Sequence, residues 1–401
     1  MQTSIFDLDF PFQSEVHCTK MTLSLYIHYP FCLRKCLYCA FNSRTDVSCS
    51  SDEYVAGLLR ELAIRSGMPG NGSSAVTLYF GGGTPSLLEP CQVEQLINAA
   101  AKYYALSADA EITLECNPGT VSAGKLAAFR AAGVNRLSLG VQSFDDNFLE
   151  KLGRAHTAGE AQSAFRAARE DGFDNVGIDL MHSLPGQTLA QWESELLSAC
   201  ELRPDHLSVY GLSVEEGTPF ALLEEEGQLA LPDEEESACM YEKSAEILGA
   251  SGYEQYEIAN FARPGFRSRH NSGYWQRRPY LGFGAGAHSY LRLPGHGIRF
   301  SNKESVEDYL QLISRGCFPT AESRSLSCEE AMAESLFLGL RLTEGVSLDS
   351  FYEEFSVSFH EAFGAACSDL FAAGLLEIRN GFLRLTEKAR ILSNQVFVRF
   401  L

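Results

Sequence analysis

Between about Leu23 and Glu215, short apolar runs rich in β-branched and aromatic residues alternate with longer stretches of helical period. Parallel strands need a crossover of a dozen or more residues between them, so this alternation leaves few topologies open and constrains the chain more than any other feature. The strand candidates are Leu23–Ile27, Val76–Phe80, Glu111–Glu115, Arg136–Val141, Asn175–Met181 and His206–Gly211. Amphipathic helical stretches separate them at Asp52–Arg65, Gln92–Tyr104, Ala123–Ala132, Glu160–Asp171 and Leu189–Leu202, and Gly133 after Ala131-Ala132 is a C′ glycine. Six βα units fall short of the eight of a closed barrel. They predict an α/β fold, a partial (β/α)6 barrel, with its chemistry at the C-terminal ends of the strands.

The repeat stops after Gly217-Thr218-Pro219, where an acidic helical stretch (Glu224–Glu226, Asp233–Glu236) leads into an aromatic, Gly-rich region ending near Tyr290. From about Ser327 the pattern is helix, helix (Phe351–Phe363, Cys367–Ala373), then a hairpin over Leu375–Leu385 turning at Asn380-Gly381, the order of a small winged-helix-like α+β module. The expected division is an N-terminal tail (1–20), the barrel (21–225), an extension (226–325) and the C-terminal module (326–401), which is expected to act as a lid over the barrel mouth. The 401 residues carry 52 acidic against 32 basic side chains, a formal charge of -20. That balance disfavours a nucleic-acid partner and an anionic membrane. With no apolar run of the roughly 18 to 20 residues that span a bilayer and no basic-then-apolar leader, a cytoplasmic protein without a transmembrane segment is expected.

Of the 12 cysteines, three cluster directly after the first strand, in Cys32-Leu33-Arg34-Lys35-Cys36-Leu37-Tyr38-Cys39. Three thiolates at C-x3-C-x2-C spacing can each ligate one iron of a 4Fe-4S cluster, leaving the fourth iron open to a small molecule. The alternative is a structural zinc site completed by Cys49 or His28, although neither gives a usual finger spacing. Further strand ends carry Gly81-Gly82-Gly83-Thr84-Pro85, where backbone without Cβ lets a ligand approach, then Glu115, Gln142 and Asp179. One acid or amide at each strand end would converge on one mouth.

The cysteine loop on the first strand of a partial barrel resembles the radical S-adenosylmethionine (SAM) superfamily. The resemblance covers roughly Leu23 to Phe220 and implies that the open iron chelates SAM. Carried over position by position, Tyr26 and Tyr38 would pack against SAM, Gly82, Gly83 and Thr84 would meet its methionine end, and Glu115 its polar groups; Gln142, Arg154 (in Gly153-Arg154-Ala155-His156) and Asp179 would complete the site. Within the coproporphyrinogen-dehydrogenase-like branch, the dehydrogenases themselves have a fourth cysteine two residues after the third. Here that position is Phe41, and the ending Phe41-Asn42-Ser43 is similar to the HemW-type haem chaperones instead.

The string His270-Asn271-Ser272-Gly273-Tyr274-Trp275, followed by Gly282-Phe283-Gly284-Ala285-Gly286-Ala287-His288, bears on the same choice. A histidine among aromatics suits an axial haem ligand, and it equally suits a structural histidine whose hydrogen bonds are internal. The resemblance implies haem at His270, with His288, His296 and the His17-Cys18 pair as lower-ranked ligands. His182-Ser183 departs from the aromatic-Gly pair usual before Leu-Pro-Gly-Gln and is expected to reshape the edge of the SAM pocket. Taken together, these features predict a haem chaperone that binds a 4Fe-4S cluster, SAM and one haem for an acceptor protein, with an electron donor as a further partner and its radical chemistry regulatory or vestigial. The alternative is a radical SAM enzyme acting on a porphyrinogen.

Overall fold

The structure, a computed structural model, describes residues 22–46, 49–68, 74–292 and 295–400. The tail and its His17-Cys18 pair lie outside the described residues. Strands β1 (Thr22–Tyr29), β2 (Ser74–Gly82), β3 (Glu111–Cys116), β4 (Arg136–Gln142), β5 (Val176–His182) and β6 (His206–Gly211) lie side by side and parallel. Their alternation decides what each face buries. In β1, Leu23, Leu25, Ile27 and Tyr29 enter one apolar core with Leu58 and Leu62 of the first helix, Ser51–Arg65. The other face carries Ser24, Tyr26 and His28 into an interior that is polar, where Thr77, Tyr79, Glu115, Ser138 and Asp179 also lie. The crossover helices begin on side-chain caps, among them the reciprocal pairs Thr157/Glu160 and Thr188/Gln191.

The extension joins this sheet at both edges. Strands β7 (Glu254–Gln255) and β8 (Asn260–Ala262) pair antiparallel beside β6. On the far side β9 (Tyr280–Phe283) runs parallel to β1, and β10 (His288–Leu291), β11 (Ile298–Asn302) and β12 (Thr320–Ser325) follow antiparallel. The sheet order is β12-β11-β10-β9-β1-β2-β3-β4-β5-β6-β8-β7. A smaller sheet in the C-terminal module has β13 (Val346–Ser347), β15 (Phe382–Leu385) and β14 (Leu376–Arg379) in that order.

Two expectations are corrected. The stretch Phe351–Phe363 is two helices, Leu348–Phe355 and Phe359–Phe363, because Ser356 turns left-handed (φ 56°) and Ser358 caps the second one. The C-terminal module is a side wall, not a lid. Its contacts run to the two edges of the open barrel: Thr343 to Tyr256 and Arg390 to Gln255 on one side, Glu334 to Arg277 and Arg299 on the other. The extension strands take the two edges of the barrel, and the module packs against that extension on both sides.

The extension is fastened to the barrel by a buried carboxylate. Glu61, fully buried on the first helix, accepts from Arg65 Nε, the Tyr309 hydroxyl, the Gly284 amide and Asn302 Nδ2, each at 2.8 Å. A buried charge is tolerated only with such a complete set of partners, and truncating one member costs roughly 3–5 kcal/mol. Glu61→Ala is therefore expected to lower the unfolding free energy by about that amount in chemical denaturation, with Glu61→Gln losing less. A loss under about 1 kcal/mol for the alanine variant would sink this account of the junction.

Candidate functional site

The cysteine loop leaves β1 at Tyr29 and is tied on both flanks. Cys32 donates its amide to Arg44 and Arg44 its amide to Pro30 (2.9 and 2.8 Å), while Leu37 bonds the backbone of Leu152 and Phe220 that of Leu37 (both 3.1 Å). The glycine loop after β2 lies directly against it. The Gly83 amide donates to the Tyr29 carbonyl at 2.8 Å, and a Cβ on Gly83 would stand 2.8 Å from the Pro30 and Phe31 carbonyl oxygens, so only glycine fits. Gly82 beside it has φ +115°, a second reason for the absence of a side chain.

Two donors are aimed at the thiols. Thr84 Oγ1 lies 3.4 Å from Cys32 Sγ and Arg154 Nη1 3.3 Å from Cys36 Sγ, the distances of hydrogen bonds to sulfur. Burial holds the Cys32 and Cys39 thiols above their usual range, so a bound cation is what would draw off their protons. Among the described residues no group of three His, Cys, Asp or Glu side chains converges closely enough to hold one metal ion. A cubane makes no such demand, because each thiolate meets a different iron. Three thiols with Thr84 and Arg154 donating to their sulfurs fit an iron–sulfur cluster better than a single zinc ion.

Around the thiols stand the other expected contacts. Glu115, at the end of β3, accepts from the Tyr79 hydroxyl (2.7 Å) and the Gly82 amide (3.3 Å), and burial, helped by the nearby Asp179 charge, pushes its carboxyl up to about 7. Asp179 accepts from Ser138 Oγ at 3.1 Å and is likewise raised by burial. Arg154 Nη2 donates to the Gly140 carbonyl at 2.6 Å, while its Nε has no partner among the described residues. Gln142 ends β4 in the left-handed region (φ 68°), after a register irregularity against β5. Tyr38 packs toward Phe220, in a small core with Phe148, Leu152, Met181 and Leu184. His182 turns away from the interior toward Trp192, with Nδ1 2.9 Å from Ser183 Oγ, so the departure there leaves Asp179 unaltered.

Tyr26, Gly82 and Glu115 line a cavity of about 570 Å³ with residues not expected in the SAM pocket: His28, Phe41, Asn42, Gly286, His288 and Glu304. Its far wall is the Gly-rich turn after β9, held by Asn42 Nδ2 donating to the Ala285 and Glu304 carbonyls (3.3 and 3.1 Å). The spacing of glycines in that turn was the available signal. A Cβ on Gly286 would overlap the Asn42 amide.

His270 lies apart from this cavity wall. It opens the short helix Arg269–Trp275 and is 1% exposed. Nδ1 is 2.8 Å from Thr77 Oγ1, Nε2 is 2.9 Å from the Tyr274 hydroxyl, and the ring stacks on Tyr79 at 4.8 Å between centroids. Burial, with Arg136 and Arg278 nearby, lowers its pKa to about 3. The imidazole is therefore neutral, and neither ring nitrogen is open to an iron in this conformation.

A strand-borne cysteine loop, a glycine loop beside it and acids at the mouth of a partial barrel define a radical SAM protein. The sequence profile of the Radical SAM superfamily matches residues 26–197, and that of the HemN C-terminal domain residues 326–392. The chain is 41% identical over 382 residues to "Heme chaperone HemW" of Bacillus subtilis (strain 168), covering 94% of this chain and 99% of that one. It is 40% identical over 291 residues to the Escherichia coli (strain K12) protein of the same name, covering 72% and 76%. To "Radical S-adenosyl methionine domain-containing protein 1, mitochondrial" of Bos taurus it is 38% identical over 380 residues, covering 90% and 83%. Among solved structures, coproporphyrinogen III oxidase (HemN) from Escherichia coli superposes with a TM-score of 0.81 at 25% identity, covering 95% of this chain and 90% of that one. The chain belongs to the HemW family of the radical SAM superfamily.

Because the folded state favours protonated Glu115, its contribution is intact below the usual carboxylate range and is lost as pH rises toward 7. Measured by denaturant unfolding of the SAM-free protein, the stability difference between wild type and Glu115→Gln should change by about 1–3 kcal/mol between pH 4.5 and 8, with the variant gaining relative to wild type at high pH. A pH-independent difference would show that the carboxyl is not held this way.

Proposed function

We propose that this protein is a haem chaperone that carries haem as cargo to an acceptor protein. Cys32, Cys36 and Cys39 would hold a 4Fe-4S cluster, which when bound supplies a low-potential electron and an open iron for SAM. Tyr26, Tyr38, Gly82, Gly83, Thr84, Glu115, Gln142, Arg154 and Asp179 would form the SAM pocket. In it Thr84 and Arg154 keep their donors on the thiolate sulfurs, and Glu115, fixed by Tyr79 and the Gly82 amide, offers the carboxyl for the polar end of the ligand. His270, in its string, is the ligand that the resemblance nominates for haem. The observation that carries this reading is the gathering of three thiols, the glycine loop and Glu115 at one mouth, in a chain whose relatives along nearly its full length are named haem chaperones.

The partners are haem, an acceptor protein and an electron donor; the acidic balance supports a protein rather than a nucleic acid. No helix among the described residues is long and apolar enough to cross a membrane, and we place the protein in the cytoplasm. The C-terminal module we read as winged-helix-like from its helices and hairpin, with domain boundaries at residues 20/21, 225/226 and 325/326. A second reading, a radical SAM enzyme acting on a porphyrinogen, draws on the superposition with HemN. Phe41, at the position where the resemblance gives the dehydrogenases a fourth cysteine, counts against it.

Anaerobic reconstitution should give about four irons per chain, falling to near zero in Cys32→Ala, Cys36→Ala or Cys39→Ala, and the wild type should take up one haem and pass it to an acceptor. Tightly held zinc without iron would end both readings. Stoichiometric decarboxylation of coproporphyrinogen would replace the chaperone reading with the enzymatic one.

A further inference from the structure

An axial haem ligand must present an imidazole nitrogen that is accessible and not already bonded. Most of the described histidines fail this criterion. His28 has Nδ1 3.0 Å from the Tyr26 hydroxyl and Nε2 2.8 Å from the Asn42 carbonyl. His156 lies between Asn117 Oδ1 and the Val141 carbonyl (2.9 and 3.1 Å), and His270 between Thr77 and Tyr274. His182 and His206 are buried in the fold, at 5% and 0% exposure. His296 stacks on Phe355 and exposed His360 packs edge-on against Phe359, both against the C-terminal module.

His288 is exposed and its ring carries no hydrogen bond among the described residues, and what separates it from His296 and His360 is that it lines the 570 Å³ cavity together with Tyr26, Gly82 and Glu115. That volume lies inside the roughly 300–1,000 Å³ range of small-molecule sites. The backbone that carries it is rigid: the Gly284 amide is bonded to Glu61, the Ala285 amide to the Tyr54 hydroxyl (2.9 Å) and the Gly286 amide to the Lys303 carbonyl (2.8 Å). Across the cavity Phe41 stands 66% exposed, an apolar ring on a water-facing rim with no core to enter. Beside it Lys35 braces the rim by donating to the Phe41 and Ser43 carbonyls (3.4 and 3.3 Å). A planar macrocycle with an iron centre and an apolar face matches the open imidazole and the exposed ring together.

We infer that haem docks in this cavity with His288 as its axial ligand and Phe41 against its face. The inference rests on the haem-chaperone reading and moves the cargo from the floor of the barrel to its mouth. Tyr26, Gly82 and Glu115, assigned above to the SAM pocket, also line this cavity.

The test is a haem titration of the cluster-loaded protein, followed by Soret absorbance and electron paramagnetic resonance, for wild type, His288→Ala and His270→Ala. Loss of a metal ligand should weaken binding at least about tenfold, since loss of an outer-shell partner alone costs that much. His288→Ala is expected to show this loss with an altered spin state, to keep its iron content, and to recover the wild-type spectrum on adding imidazole. His270→Ala is expected to keep the wild-type coordination spectrum. Wild-type affinity and spectrum in His288→Ala would overturn the assignment, as would a loss that imidazole does not restore. Absence of haem binding by the wild type would instead overturn the chaperone reading on which it rests.

Discussion

The hydrogen bond from the Gly83 amide to the Tyr29 carbonyl closes the parallel pairing of β1 and β2 at the point where both strands give way to loops. On one side of it the chain runs into Cys32, on the other into Thr84, whose hydroxyl turns back onto the Cys32 sulfur. A side chain at Gly83 would push these two loops apart, because its Cβ would meet the Pro30 and Phe31 carbonyls. The mouth is thus set by backbone geometry before any ligand arrives. The polar groups beneath it can then be placed in advance, which is the condition for binding a cluster and SAM without a large ordering cost.

The barrel alone would leave two exposed edges, and the extension and C-terminal module answer both. Strand β9 adds to β1 in parallel, so the turn from Gly284 to His288 emerges at the same end of the sheet as the cysteine loop. Glu61 and Tyr54 fix that turn from the helix behind it, while Asn42 fixes it from the cysteine loop in front. The far wall of the cavity therefore comes from residues more than two hundred positions away from Asn42 in the chain.

That distance explains much of what could and could not be read beforehand. The six barrel strands were legible to within a residue or two at most ends, since burial on one face imposes a period of two and the crossover helices impose 3.6. The cysteines were legible because their spacing is local. The edge strands were not: β7 and β8 have two and three residues, and β12 is exposed along nearly its whole length, so neither periodicity nor hydrophobicity marks them. Glu61 looks in sequence like any acid on a helix. Its burial follows from four partners scattered between positions 65 and 309.

His270 shows why residue type alone left two readings open. An imidazole beside Tyr274 and Trp275 has the chemistry of a ligand, but each ring nitrogen can serve an iron or a hydrogen bond, not both at once. Here Thr77 and Tyr274 take the two nitrogens, and stacking on Tyr79 adds a third restraint. Freeing either nitrogen would break a buried hydrogen bond worth about 1 kcal/mol net and leave its partner unsatisfied at a cost of about 1–3 kcal/mol more. The same contacts run onward: Tyr79, braced by the imidazole, donates to Glu115, which accepts the Gly82 amide at the mouth. The string that begins at His270 is in this way coupled to the pocket from beneath, by shaping the tyrosine and carboxyl that face the ligand, while the open imidazole stands at the rim on His288.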